Sequence, residues 1–304
     1  DILHNFWKRT KAKQIGEQAL DIFLGKSGDT SPLLSSVEDL KNNEVKLSNT
    51  YTVLNEDIET SLNEFEREPE FKFPSQIRDY VTGIDRQNLG VIFARPEIGK
   101  TSFAAWLCGW YVKNNLKVAY WGNEEPVRKT RMRVAKSILE LSRQEILLDK
   151  NKFIEKYKSE VLPYATFMDC VGTSIQEIED YCFRNEVDVV FIDQLDKVRI
   201  DGEFSRGDER LKELYARSRE LAKRNKVAVW AVSQASYEAH GREVIDYSML
   251  DGSKTGKAGE ADIIIGIGVS EHEDFRTLKF SKNKINGYHG SIVLRRDGER
   301  DIFL

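Results

Sequence analysis

The sequence predicts an α/β protein. It expects a mostly parallel central sheet covered on both faces, an antiparallel C-terminal edge, and a helical hairpin and linker helix in front. Three observations carry this reading. Short apolar runs, such as L-G-V-I-F at 89–93 and V-D-V-V-F-I-D at 187–193, alternate with amphipathic helical stretches; that is the pattern of strands buried on both sides. The last two strand-like runs flank I-N-G-Y-H-G, a hairpin turn, so that edge runs antiparallel. Before Leu89 the periodicity is helical instead.

The elements follow in order. Phe6, Ile15, Ala19, Ile22 and Phe23 recur near helical spacing over residues 5–24. G-K-S-G-D-T-S-P then breaks the chain, and L-L-S-S-V-E-D-L begins a second helix. Together these make a hairpin over 1–45. The acidic segment 55–68 carries Ile58, Leu62 and Phe65 on one stripe. It reads as a solvated helix or as a linker helix, within 46–75, that docks on a neighbouring subunit. The main domain spans 76–304. It opens with the strand L-G-V-I-F and a helix over 100–115. The strand K-V-A-Y-W-G-N, helices through Lys158 and a short strand near Y-A-T-F-M-D-C come next. Thr173 and Gln176 fit a capping box for the following helix. The strand ending at Asp193, a helix over 208–222, and the strands V-A-V-W-A-V-S-Q, I-I-I-G-I-G-V, R-T-L-K-F-S-K-N-K and G-S-I-V-L-R-R complete the chain.

Composition narrows the function classes. No run of 18 apolar residues exists among the 304, so a membrane span is not expected. The first residues lack the basic-then-apolar order of a secretion signal, which implies a cytoplasmic protein. The missing initiator Met suggests a fragment. Cys108, Cys170 and Cys182 sit in apolar contexts and read as buried free thiols. Net charge is −4, but it is segregated. Residues 275–300 carry seven Lys or Arg and two acids, whereas 55–70 carry seven acids and one Arg, so basic residues can gather at one surface.

The chemistry concentrates in A-R-P-E-I-G-K-T, residues 94–101. It ends as a phosphate-binding loop does, but begins with Ala94 where G-x-x-x-x-G-K-[ST] has glycine. Such a loop needs a preceding strand, backbone N–H groups that wrap phosphate oxygens, and a helix N-terminus facing the anion. All three are present. The residues assigned to nucleotide are Arg95, Pro96, Glu97, Ile98, Gly99, Lys100, Thr101 and Ser102. Gly99 allows close backbone approach, Lys100 neutralises the β- and γ-phosphates of ATP, and the Thr101 hydroxyl ligates Mg²⁺. Lys100 is expected to face solvent without nucleotide, and Ala94 is tolerated if its φ is negative. Asp193 is expected to hold Mg²⁺ through water, from the strand beside the loop. Glu124, in G-N-E-E-P after a strand, is placed to polarise the attacking water as general base. Gln234, ending another strand, can hydrogen-bond the γ-phosphate and register its loss. Alone, Glu124 or Gln234 reads more readily as an ordinary strand-end polar residue; four strand ends serving one edge do not.

Taken together, these runs resemble the DnaB family of replicative helicases over about residues 76–304. A-R-P-E-I-G-K-T is similar to its Walker A motif, N-E-E-P to its catalytic-Glu motif, F-I-D-Q-L to its Walker B and A-V-S-Q-A to its Gln sensor. F-S-K-N-K-I-N-G resembles the segment that reaches into the next subunit's ATP site. It implies Lys282 and Lys284 as cations acting across the interface, with Lys284 standing where the family usually has Arg. The alternative for this pair is an edge strand kept soluble by lysine, since no acid lies near it in sequence. Residues 5–45 resemble the family's helical hairpin more loosely.

The resemblance implies a RecA-like ATPase motor, hexameric, phage or plasmid encoded in one version. It would encircle single-stranded DNA, travel 5′ to 3′ and unwind forked DNA, with primase or helicase loader as separate partners. Contacts to DNA are expected from Lys254 and Lys257 in a mobile loop, D-G-S-K-T-G-K-A-G-E-A-D, or from Arg199 and Arg206 after Asp193. Two other readings remain: a RecA-like recombinase or non-unwinding DNA-dependent ATPase, and a nucleotide-gated assembly factor. Unwinding against strand pairing, and hydrolysis with and without DNA, separate them.

Overall fold

The computed structural model describes residues 2–26, 28–47, 62 and 67–304. The chain divides into two units, Asp1–Arg67 and Glu68–Leu304. In the first, helices Ile2–Phe23 and Ser31–Leu47 pack against each other. The second begins where Asp29 Oδ1 accepts from the Ser31 N–H at 2.9 Å. Pro32 occupies its first turn, where no backbone donor is needed.

Most of the segment expected as a linker helix lies outside the described residues. Its end is a correction: residues 71–75 are not part of a linker. Phe71–Lys72 form strand β1, which pairs antiparallel with β2, Gly83–Ile84. Phe71, Phe73, Ile77 and Ile84 are buried in the main core. Apolar burial outweighs the helical pattern of the acidic residues before them.

The large sheet has nine strands. They are β3 (Leu89–Ala94), β4 (Val118–Gly122), β5 (Ala165–Asp169), β6 (Val189–Asp193), β7 (Ala228–Gln234), β8 (Ile263–Val269), β9 (Phe275–Asn283), β10 (Ser291–Asp297) and β11 (Ile302–Phe303). Their order is β11-β10-β9-β8-β3-β7-β6-β4-β5. All pairings from β8 through β5 are parallel, and those from β8 to β11 antiparallel. The expected architecture is therefore the observed one, with two corrections. The Asp193 strand, β6, is not beside β3, because β7 is inserted between them. And β9, which carries Lys282, is not an edge strand, because β10 and β11 lie outside it.

Strand alternation divides the core into two layers. Ile92, Phe191 and Trp230 face helices Lys100–Lys113 and Val127–Leu139; Val91, Val190 and Val229 face helices Ile175–Asn185 and Gly207–Asn225. On the first side, Tyr120, Phe191 and Trp230 stand in register across β4, β6 and β7. Their rings stack at 5.6 and 6.4 Å. Each such pair adds about 0.5–1.5 kcal/mol to simple burial. The ladder ends at Gly90 on β3, where a Cβ would stand 2.4 Å from the Trp230 ring. The capping box that starts helix Ile175–Asn185 uses Ser174 and Glu177, one residue later than Thr173 and Gln176. Ser174 also forms a backbone bridge with Arg199, whose N–H donates to the Thr173 carbonyl and whose carbonyl accepts from the Ile175 N–H.

Candidate functional site

Parallel strands end on one edge of a sheet, so β3, β4, β6 and β7 deliver their C-terminal residues to one place. The loop after β3 builds the floor. Ala94 is the buried last residue of the strand, paired with Gln234 on β7, and has no positive φ. The position therefore makes no demand for glycine. The demand falls on Gly99, at φ 112°, a conformation that strains any side chain. Its carbonyl accepts from Phe103 N–H as the helix Lys100–Lys113 begins.

Lys100 departs from expectation. It is 4 % exposed, and its Nζ donates to Glu124 Oε2 at 2.6 Å. A buried ammonium needs a counter-charge, and the proposed general base supplies it. The Thr101 hydroxyl lies beside the carboxyl of Asp193, which is 2 % exposed. Burial pushes the Asp193 carboxyl above the usual range; the Thr101 hydroxyl, the Lys100 charge and Tyr120 pull it partly back. Tyr120 Oη donates to Asp193 Oδ2 at 3.0 Å, while the buried Oδ1 is left open. Asn123 locks this end of β6: its side chain accepts from Gln194 N–H at 2.8 Å and donates to Gln194 O at 2.9 Å. Gln234 ends β7 between the loop and Asp193.

A cleft of about 340 Å³ opens over these groups, lined by Glu97, Gly99, Lys100, Thr101, Ser102, Glu124, Glu125, Arg133 and Arg296. Arg95 leaves it sideways: its Nη1 donates to Ala235 O at 3.0 Å, and its guanidinium covers the Tyr237 ring. Pro96 is exposed, and Ile98 is half-buried against the main core.

Two arginines that line this cleft, Arg133 and Arg296, and a third that braces its loop, Arg276, are absent from the sequence reading. Arg133 donates to Ser102 Oγ at 3.0 Å and pairs with Glu125 at 3.2 Å. Arg276, at the start of β9, donates through Nε to Ile98 O at 2.6 Å. Burial and the neighbouring Arg296 charge push its guanidinium below its ordinary value. Arg296, on β10, reaches Ser102 Oγ at 3.5 Å and has a buried Nε with no partner. The basic count of residues 275–300 was the available signal, but their placement depends on the antiparallel register that sets Arg276 against Leu294.

The donor set fits a nucleoside triphosphate with Mg²⁺. Cations and helix N–H groups converge on one cleft. The open oxygen of Asp193 beside the Thr101 hydroxyl suits a metal that takes few protein ligands and phosphate oxygens for the rest. Among the described residues no group of three or more His, Cys, Asp or Glu is placed to hold a metal alone.

Lys282 and Lys284 are not brought to this cleft. Lys282 stands opposite Ile264 and Arg276 opposite Val269. At about 3.4 Å per residue, the two ends of β9 are separated by roughly 20 Å. Lys282 Nζ donates to the Ala258 and Gly259 carbonyls, and burial and Lys284 push its ammonium below the ordinary lysine range. Lys284 is half exposed and lies 3.9 Å from Asp262. The fold thus supplies the acid that the sequence neighbourhood lacked, and the edge-strand alternative falls with the position of β9.

The four expected DNA contacts divide. Lys257 is fully buried, its Nζ donating to Asp196 Oδ2 at 2.7 Å and Ser233 Oγ at 2.9 Å; it is an internal brace, not a loop cation. The expected mobile loop is in part a helix, Lys254–Glu260. It packs close on helix Gly207–Asn225 because Gly256 has no side chain; a Cβ there would meet Lys212 at 2.9 Å. Lys254 is exposed and pairs with Glu238 at 3.1 Å. Arg206 forks onto Asp208 at 2.7 and 3.0 Å, and Arg199 donates to Gly172 O at 3.3 Å. Among the described residues no helix is long and apolar enough to cross a membrane.

Solved structures share this fold. An ATPase domain of known structure superposes with a TM-score of 0.69 at 20 % identity, over 82 % of this chain and 99 % of that one. A DnaB-like replicative helicase, described with its interactions with primase, superposes at 0.76 and 18 % identity, over 100 % of this chain and 77 % of that one. At these identities the likeness shows the fold. No curated protein matches. The family profile of the DnaB-like helicase C-terminal domain matches residues 74–298. With that match over most of its length, the chain belongs to the DnaB-like helicase family.

Proposed function

We propose that the chain is an ATP-hydrolysing motor that moves 5′ to 3′ along single-stranded DNA and unwinds forked duplex as a ring, most simply a hexamer. One observation carries the reading. The groups for phosphate, metal and water stand at the carboxyl edge of the parallel strands, while Lys282 and Lys284 stand at the sheet's opposite end. A second copy that set its lysines against this cleft would complete the site.

In this reading Lys100 and the loop N–H groups bind the β- and γ-phosphates, and Arg296 and Arg133, which both reach Ser102 Oγ, add cations to the same cleft. Thr101 and Asp193 hold Mg²⁺, which when bound neutralises charge on the phosphate oxygens. Entry of the γ-phosphate gives Lys100 a new anion and frees Glu124 to take the proton of the attacking water. Gln234 reports the loss of the phosphate through β7. Lys284, a point charge and not a planar fork, stabilises charge on the neighbour's γ-phosphate. Lys254, Arg199 and Arg206, after the adjacent strands β6 and β7, are the candidate contacts to DNA phosphates. A primase or loader is a further partner on this reading. The domain scheme is a hairpin, a linker and the motor domain, the last beginning by Glu68.

The test is ATP hydrolysis and unwinding of a fork with a 5′ tail by the purified ring. Unwinding that requires ATP and the 5′ tail supports the reading. Strand pairing without unwinding would place the chain with recombinases; turnover unaffected by single-stranded DNA would place it with assembly factors.

A further inference from the structure

Lys257 was expected at the surface and is buried, and its partners are drawn from three segments. Asp196 follows Asp193 by three residues. Ser233 directly precedes Gln234. Lys257 itself lies on helix Lys254–Glu260, whose first residue is exposed. The contacts close on one another: Ser233 Oγ donates to Asp196 Oδ2 at 2.7 Å, and Tyr215 Oη donates to Asp196 Oδ1 at 3.1 Å. The Tyr215 ring lies 5.4 Å from the Lys257 ammonium.

A buried ion pair contributes little net stability, because desolvation offsets attraction. What it does well is fix geometry, since moving either partner leaves a charge unsatisfied in a low-dielectric interior. Here the geometry fixed is that of one helix relative to two strand ends, and both strand ends carry nucleotide-site groups. An apolar side chain at 257 would pack the helix equally well but would let it shift independently of β6 and β7.

We propose that the Lys257–Asp196–Ser233 cluster ties the helix Lys254–Glu260 to the ends of β6 and β7, so that the nucleotide state sensed at Asp193 and Gln234 sets the hold of this helix on nucleic acid. Lys257 is then a positioning residue; it touches neither nucleotide nor DNA. The inference rests on the motor reading above, and adds the side chains through which hydrolysis and DNA grip are coupled.

The test replaces the charges while keeping the fold. Lys257→Met with Asp196→Asn leaves a neutral pair in which the amide oxygen can accept from one of the two hydroxyls, Ser233 or Tyr215, and the NH2 can donate to the other. Thermal melting and ring assembly are measured first, then turnover with and without single-stranded oligonucleotide. The expected result is basal turnover within about twofold of the parent and a stimulation factor lower by about fivefold or more, the low end of coupling between sites. DNA affinity should also cease to differ between an ATP analogue and ADP. A merely structural brace would lower melting and basal turnover and leave the stimulation ratio intact. Unchanged stimulation in the folded double variant overturns the proposal. If that variant does not fold, Ser233→Ala removes two hydrogen bonds of the cluster, one to Asp196 and one from Lys257, and keeps the ion pair. It should lower the stimulation factor with melting preserved, and unchanged stimulation there overturns the proposal as well. A parent protein that DNA does not stimulate would refute the motor reading, and the inference with it. A stimulated parent with an equally stimulated variant refutes the inference alone.

Discussion

The parallel and antiparallel parts of the sheet solve different problems. In the parallel part, β3 to β8, every strand ends on one edge, and chain direction alone gathers Lys100, Glu124, Asp193 and Gln234. In the antiparallel part the chain reverses, so basic residues are dealt to both ends. Arg276 and Arg296 arrive at the chain's own nucleotide cleft, while Lys282 and Lys284 arrive at the far end, beside Asp262. Charges that look like one cluster in sequence therefore have two destinations. The first group lies at the subunit's own cleft; the second, in the proposed reading, serves a neighbour's.

Substitutions can break or sharpen that contrast. The largest effect is expected from Lys100→Ala, which removes the cation at the loop and should abolish hydrolysis in every subunit that carries it. Its partner Glu124 is one-third exposed, so water can solvate the orphaned carboxylate and the fold should survive, as circular dichroism and melting would show. Turnover at the parent rate would sink the nucleotide site itself. Next, Glu124→Gln should keep nucleotide binding and slow turnover by about 10²-fold or more, the scale of a general base. If Glu125→Gln is the slow variant instead, the base is misassigned, and Glu125 does more than hold Arg133. A smaller effect belongs to the near end of the antiparallel part. Arg296→Ala should weaken ATP binding by about tenfold, the loss of one charge-assisted hydrogen bond, with kcat little changed. An equal fall in kcat would move Arg296 into the chemistry.

Much of this was legible beforehand because it is local. Strand runs, the loop G-K-T and strand-end acids depend on residues within a few positions of one another. What escaped is set by long-range pairing. The insertion of β7 between β3 and β6 is a fact of strand order, which no local pattern encodes. Lys257 looked like a loop cation because its counter-charge, Asp196, lies 61 residues away. Glu124 was readable as a strand-end acid, but its pairing with Lys100 was not, because that contact exists only once β3 and β4 share an edge. Thr173 and Ser174 are equally good caps by type, and the long-range backbone bonds of Arg199 on either side of Ser174 are not visible in the local sequence.

The smallest expected effect concerns the core beneath both parts. Burial pushes the Cys170 and Cys182 thiols up to about 12 and Cys108 higher still. A raised pKa keeps a thiol protonated. At pH 8 only about one in 10⁴ of the Cys170 or Cys182 groups would be thiolate, the reactive form. Alkylation of native protein should therefore be negligible at pH 8 and rise only on unfolding. Rapid labelling of the native protein would show that the layers open more readily than their packing implies.

The central claim is that one copy's far-end lysines complete another copy's nucleotide cleft, and mixing tests it most directly. Lys284→Ala subunits keep an intact loop, and Lys100→Ala subunits keep an intact lysine finger. A cation supplied across an interface can contribute about 10³-fold or more to turnover, and a lysine somewhat less than an arginine. Each preparation alone should be inactive. Mixed rings should regain part of the ATPase activity, at those junctions where a Lys100 loop meets a Lys284 finger. Full activity of Lys284→Ala alone, or no recovery in rings proven to be mixed, would contradict the account.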